Sequence, residues 1–302
     1  MKRYEHILQA VCSSPWAILE SKLAQIYSFL LTKHGEIDAG VFDNGSPFEA
    51  KARPAASVKG NVAVMPLFGV LAQRMDMMDE ISGGTSTEKF TKQFQAAVAD
   101  PSIKAIVLNV DSPGGSVYGT QELAEVIFEA RAQKHIVAIA NSCAASAAYW
   151  IASAADEFVV TPGGEVGSIG VITIHEDWSG AMEKAGVKPT LIRAGKFKYE
   201  GSYYEPLSDE AKAAIQEKVD VYYDAFVGTV ARNRGVSVKE VKNGFGQGRM
   251  MTADAAKAAG MVDRIDTLDG VLNRLGVSQQ SAAASARMSH DIAQKKLQLA
   301  TQ

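Results

Sequence analysis

The sequence predicts an α/β fold in which a largely parallel sheet is covered by helices, and three observations lead there. Between residue 56 and about residue 275, short β-branched runs (NVAVMPL, IKAIVLNV, IVAIAN, FVV) alternate with stretches whose apolar residues recur at helical spacing. The chain has 302 residues, 47% of them hydrophobic and 22% charged, enough to bury one large core with extensions attached. The segments before and after this region change composition, which confines the alternating pattern to one domain.

Taken in order, residues 1 to about 40 read as helical, with Ile18, Leu23, Ile26, Leu30 and Leu31 set among charged residues. The stretch DAGVFDNGSPFEAKARPAAS is rich in Gly, Pro, Asp and Asn and reads as a linker. A helical extension and linker over 1–55 is therefore expected before the main domain at 56–275. Thr85 and Glu88 form a capping-box pattern ahead of a helix that carries Phe90, Phe94, Ala97 and Val98 on one face. Leu123, Val126, Ile127 and Ala130 repeat that spacing. VITI and PTLIR read as further strands. Ser208, Asp209 and Glu210 open a long helix with Ala211, Ile215, Val219, Tyr222, Phe226 and Val230 at steps of three and four, ending near Gly235. A second capping box at Ser237 and Glu240 and a short helix over 252–260 complete the domain. The tail, 276–302, begins as the low-complexity SQQSAAASA and ends in the helix-prone HDIAQKKLQLA.

The formal net charge is −3, and Lys and Arg are scattered, which argues against nucleic acid as a partner. Cys12 and Cys143 offer neither a disulfide framework nor a metal-ligand cluster, and a reducing compartment fits. Glu5, His6, Pro15 and Glu20 interrupt the amino terminus, so a signal peptide is not expected. No run approaches the roughly 20 apolar residues that span a bilayer, so a soluble protein without a membrane anchor is expected.

Two segments carry candidate chemistry. In DSPGGSVYG, Gly114 and Gly115 follow an apolar strand, and their N–H groups, unshielded by Cβ atoms, suit a developing oxyanion. A plain strand-to-helix turn explains the same residues. In NSCAASAAYW, small residues let a helix amino terminus pack closely on neighbouring backbone. Ser146 there would sit in a positive dipole, with the Ala147 N–H beside it. An isolated serine at such a place more commonly caps the helix, so a partner base has to decide. Among the histidines only His175 suits a Ser-His-Asp order. The other base is a lysine of AGKFKYEGSYYEP. A lysine becomes a base when desolvation and dipolar or cationic neighbours bring its pKa from about 10.4 toward 7 or 8, at a cost of roughly 4 kcal/mol. Lys196 and Lys198 would share a face of an extended segment, and spacing does not choose between them.

Taken together, these segments resemble the signal peptide peptidase A family of serine peptidases over about residues 60–270. The SPGG turn is matched by Ser112, Pro113, Gly114 and Gly115, and the nucleophile in a small-residue run before aromatics by Ser146, Tyr149 and Trp150. The GSIGV segment is matched at residues 167–171, and G-x-x-K before a proline at residues 195–198 and Pro206. The resemblance implies a ClpP- and crotonase-like αβ superhelical fold and a Ser–Lys dyad. It selects Lys198 as general base for Ser146, with Ser168 orienting the amine and Gly114, Gly115 and Ala147 forming the oxyanion hole. Alanines at 147 and 148 stand where many members have Gly-Gly. It implies no cofactor or metal, a homo-oligomer, and extended polypeptide substrates lying beside the SPGG and GSIG segments. The amino-terminal run and the Gln/Ala-rich tail look like the tailed-phage head-maturation branch. That branch implies scaffold or capsid proteins as substrates and a place in the bacterial host cytoplasm or inside a procapsid. A crotonase-type acyl-CoA enzyme and a non-catalytic capsid-assembly protein are the alternatives.

Overall fold

A computed structural model describes residue 8 and residues 11–12, 14–34, 55–74 and 84–277. The linker over 35–54 and the tail from 278 lie outside the described residues. In chain order the first half comprises β1 (Trp16–Ile18), α1 (Glu20–His34), β2 (Ser57–Lys59), β3 (Val62–Phe68), β4 (Leu71–Ala72), β5 (Thr85–Ser86), α2 (Thr87–Ala99), β6 (Ala105–Ser112), β7 (Gly114–Ser116) and α3 (Thr120–Ala130). The second half comprises β8 (His135–Ala145), α4 (Ala147–Ala152), β9 (Glu157–Val160), β10 (Glu165–Gly167), α5 (Ser179–Lys184), α6 (Asp209–Arg234), α7 (Val238–Gly244), β11 (Met250–Thr252), α8 (Ala253–Ala258), β12 (Arg264–Ile265) and α9 (Leu268–Arg274).

The main sheet has eight strands: β11-β10-β8-β6-β3-β2 in order, with β9 joining β8 to β12. Its central pairs, β3 with β6 and β6 with β8, are parallel. Period-two alternation sends Met65, Leu67, Ile106, Leu108, Ile136 and Ala138 into one core, and Val62, Val64, Val107, Val137 and Ile139 into a second core covered by Val271 and Leu272 of α9. Both faces are apolar, which is why these strands read as near-continuous hydrophobic runs. A second sheet orders β1-β7-β4-β5.

The strand that leads to the site is irregular in a useful way. Along β8 the register to β6 jumps from Val110↔Ala140 to Ser112↔Ala144, so two extra residues bulge out of β8, and Ser142 there has φ 121°. The first half of β8 pairs with β9 and the last three residues pair with β10. A bulge bends a strand and re-aims the chain beyond it. Immediately beyond this one lies the junction at Ser146.

Some elements differ from the sequence expectation. The α2 cap is Ser86, whose hydroxyl accepts from the Lys89 N–H, because the Thr85 hydroxyl is already bonded to the Phe68 backbone. Of VITI only Ile172 pairs, and PTLIR forms no strand. The amino-terminal extension contains a strand, β1, as well as a helix. The long helix α6 has Ser208 and Gly235 as its caps, but apart from Ala211 only its carboxy-terminal part, from Phe226, is buried.

Candidate active site

Ser146 sits between β8 and α4, with Ala144, Ala145, Ala147 and Ala148 around it, all fully buried. Its backbone, φ 54° and ψ −116°, lies in a region L-residues rarely adopt. Such strain costs of the order of 1–3 kcal/mol, is held only by the surroundings, and clusters at functional sites. Two bonds hold it here: the Ser146 N–H donates to Gly167 O at 2.7 Å, and the Ser146 carbonyl accepts from Trp150 N at 2.9 Å, which starts α4. The residue occupies the N-cap position, yet its side chain makes no cap hydrogen bond. Its hydroxyl instead donates over a long 3.4 Å to the Gly170 carbonyl. Helix capping is therefore not the role of this hydroxyl.

The helix beyond it is anchored on every side. All six residues of α4 are buried, Trp150 stacks on Phe226 of α6 with ring centroids 4.4 Å apart, and the Tyr149 hydroxyl donates to Met261 O at 2.9 Å. The sequence needs small residues before Tyr149 so that this turn can sit against the sheet, and large ones after it to fix the helix.

The structure brings three other expected residues, Ala147, Ser168 and Gly114, to Ser146, and sets Gly115 one residue further along β7. Ala147 is the first residue of α4. Gly167 pairs with Ala145, so Ser168 begins beside Ser146, and it shares the same φ of 54°; its N–H donates to Arg249 O at 2.9 Å. Gly114 has φ 95°, and a Cβ on it would lie 3.0 Å from the Ser146 Cβ and 2.9 Å from Ala145 O. Gly115 lies against the Leu71 backbone so closely that no side chain fits. Residues 114–116 are the strand β7, not a free turn, and the Gly114 N–H donates to the Ser112 hydroxyl at 3.1 Å.

The lysines stand elsewhere. Residues 194–201 form turns, not an extended segment, so Lys196 and Lys198 do not share a strand face. Lys196 is exposed and ion-paired with Glu210 at 2.8 Å. Lys198 is exposed, and among the described residues its amine makes no hydrogen bond or ion pair, with Ser146 and Ser168 included. His175 does not meet Ser146 either. It stacks on Tyr203, 6.1 Å between ring centroids, beside a cavity of about 200 Å³ also lined by Cys12 and Lys218. Cys143, three residues before Ser146, has its thiol pushed up to about 11 by burial and by the nearby Asp111 and Glu165 carboxylates. A thiol held in that form is a packing residue rather than a nucleophile.

One strand next to Ser146 was not legible as part of the site. Strand β1 runs antiparallel to β7 with Ala17 opposite Gly115 and Ile18 opposite Gly114, and the Ala17 carbonyl fills the space where a Gly114 side chain would be. The only local signal was the short alternation Trp16, Ala17, Ile18 after Pro15.

With this geometry in place, the comparisons with known proteins are specific. The model of Peptidase family S49 matches residues 129–282. The chain belongs to peptidase family S49. The Clp protease model matches residues 62–169 of the same S49 chain, in keeping with its ClpP-like parallel sheet. The S49 chain is 32% identical over 256 residues to the head-tail preconnector protein GP5 of Enterobacteria phage P21, covering 80% of this chain and 51% of that protein. It is 32% identical over 223 residues to the capsid assembly protease C of Escherichia phage lambda, covering 74% and 50%. It is 28% identical over 225 residues to Protease 4 of Salmonella typhi, covering 74% and 35%. The S49 chain thus spans about half the length of the first two relatives. No helix among its described residues is long and apolar enough to cross a membrane.

Proposed function

We propose that this S49 chain is a serine endopeptidase whose nucleophile is Ser146 and whose general base is Lys198, supplied by a neighbouring copy of the chain. The observation that carries it is Ser146 itself, a strained serine freed from capping and set between Gly114, Ala147 and Ser168. The neutral Lys198 amine removes the Ser146 proton as the oxygen attacks a peptide carbonyl. The resulting oxyanion lies near the N–H groups of Ala147 and of Gly115 or Gly114, the last of which would have to give up its bond to the Ser112 hydroxyl. The amine then passes the proton to the leaving nitrogen, and water hydrolyses the acyl-enzyme by the reverse sequence. Ser168, next to Ser146 at the end of β10, orients the incoming amine.

Assembly from several copies is suggested by where the two halves sit. A lysine works as a base where it is stripped of water. In one chain Lys198 is exposed, on an arm that also exposes Val187, Ile192, Phe197 and Tyr204. Exposed apolar groups of this kind mark an interaction surface. Packing the arm against a second copy would bury them and carry Lys198 into a site that its own chain does not form.

The relatives named for phage head assembly support scaffold or capsid proteins of a tailed phage as the natural substrates. Incubation of the purified chain with an unfolded protein should give cleavage that Ser146→Ala and Lys198→Ala each abolish and that Lys196→Ala leaves in place. Cleavage retained by either of the first two would sink the dyad. A folded chain that cleaves nothing and resists serine-directed acylation would leave the assembly-protein alternative.

A further inference from the structure

Ser146 is fully buried, although a peptidase nucleophile has to meet an incoming chain. Strand β1 comes close to it through Gly114, where a Cβ would run into Ala17 O and lie 3.0 Å from the Ser146 Cβ. Main-chain bonds fix β1 on two edges at once. On one edge it pairs antiparallel with β7, where Leu19 N donates to Pro113 O at 2.9 Å and Val117 N donates to Pro15 O at 3.3 Å. On the other edge, Trp16 N donates to Ile172 O at 2.8 Å and Ile172 N donates to Trp16 O at 2.9 Å. These two edges are the SPGG segment and the residue after the GSIGV segment, between which an extended substrate would add as a strand.

The side chains fit a bound peptide as well as the backbone does. Ala17 faces the main core with Ala144 and Ala147, while Trp16 and Ile18 turn the other way into a separate cluster with Leu23, Ile26 and Leu30 of α1. Only the small residue of the three joins the main core. The eight-stranded sheet contains no residue of β1, whose pairing is with β7 of the second sheet and, through Trp16, with Ile172.

Resting on the peptidase assignment above, we propose that Trp16–Ile18 is a built-in occupant of the peptide groove, an autoinhibitory strand that a substrate must displace. The groove it marks takes an extended chain with an alanine-sized side chain at the Ala17 position, flanked by large apolar residues. While β1 holds the groove, apparent substrate affinity falls by the fraction of time the groove is open.

The test uses full-length chains carrying Ala17→Arg, which cannot be accommodated at a fully buried position, or Trp16→Ala, which only shrinks an anchor and serves if the first misfolds by circular dichroism. Both the rate of Ser146 phosphonylation by a fluorophosphonate, with loss of fluoride, and kcat/KM on an unfolded protein should rise about tenfold or more over the parent. A synthetic peptide of residues 12–20 should inhibit the variant competitively, and the same peptide with Arg at the Ala17 position should not. Folded variants with parental rates and no response to the peptide would overturn the proposal. If no chain is phosphonylated or cleaves anything, the peptidase assignment has failed by itself, and fluorescence anisotropy of the labelled peptide decides the strand's role. Binding to the variants but not to the parent supports groove occupancy, and equal or absent binding overturns it.

Discussion

Two inactive variants should restore each other's activity when they share an assembly. Ser146→Ala keeps Lys198, and Lys198→Ala keeps Ser146. In one chain Lys196, two residues from Lys198, is tied to Glu210 at the start of α6, whereas α6 reaches the active-site helix at Phe226, stacked on Trp150. At about 1.5 Å of rise per residue those two points on α6 are about 24 Å apart, several lysine side-chain lengths. If each site takes its serine from one copy and its lysine from the next, co-expression in equal amounts leaves about one site in four with both groups intact, the product of two one-half probabilities. Cleavage of an unfolded protein should therefore return to about 25% of the parental rate per chain. If both groups come from one chain after a rearrangement of residues 190–207, every site lacks one group and the mixture stays as inactive as its components. That second outcome would refute the shared site.

The geometry yields further expected outcomes at Gly114, Cys143 and Asp263. Gly114→Ala places a Cβ 2.9 Å from Ala145 O at a φ of 95°, and should cost at least about 2 kcal/mol in thermal or urea unfolding together with most of the activity. Cys143→Ala should keep full activity. With the thiol pushed up to about 11, Cys143 should react with iodoacetamide at pH 8 as though only about one molecule in a thousand were thiolate, read by mass spectrometry. Asp263→Asn leaves the guanidinium of Arg234, 7% exposed, without its partner at 2.6 Å, and should cost about 2 kcal/mol, less than the roughly 3–5 kcal/mol of a fully buried pair because the carboxylate is partly exposed. Burial raises the Asp263 carboxyl, but the Arg234 pair and the Phe158 N–H outweigh it and hold it below the usual range, so its contribution is present above about pH 4 and is lost as the pH falls through the lowered value. In acid titrations of unfolding, the gap between the parent and Asp263→Asn should close below about pH 4.

The features that the sequence revealed and those it hid divide along local and non-local physics. β3, β6 and β8 were readable because both their faces are apolar, and the caps Ser208, Gly235, Ser237 and Glu240 because a cap is satisfied within a few residues. The shift of one cap from Thr85 to Ser86 was not readable, since it depends on Phe68, 17 residues earlier, claiming the Thr85 hydroxyl. VITI and PTLIR have the composition of strands, but composition reports fit to a pleated, half-buried surface, and residues 189–193 meet no sheet edge. The strand β1 failed in the opposite sense. Three residues carry no measurable period, and their partners, 114–116 and Ile172, lie about a hundred or more residues away.

The same division explains why the small-residue run around Ser146 was legible as a tight strand-to-helix junction, while the choice between Lys196 and Lys198 was not legible from spacing. The serine depends on the behaviour of a short run of small residues: it lets a strand end, turn through an unfavourable backbone conformation and start a helix inside the core, all within residues 144–150. A lysine base depends on being desolvated, and nothing within the few residues around Lys198 desolvates it. Its arm is exposed and carries the apolar residues Ile192 and Phe197 on its surface. If Lys198 is the base and β1 occupies the groove, as proposed, a free chain is doubly closed, lacking an imported base and an open groove. Assembly would supply the first and displacement of β1 the second, so a newly made chain would stay inert until it is among copies of itself and in contact with a polypeptide able to compete for the groove. The two conditions are separable by experiment, because loosening β1 should speed acylation only in assemblies that already contain Lys198, and restoring Lys198 should not by itself open the groove.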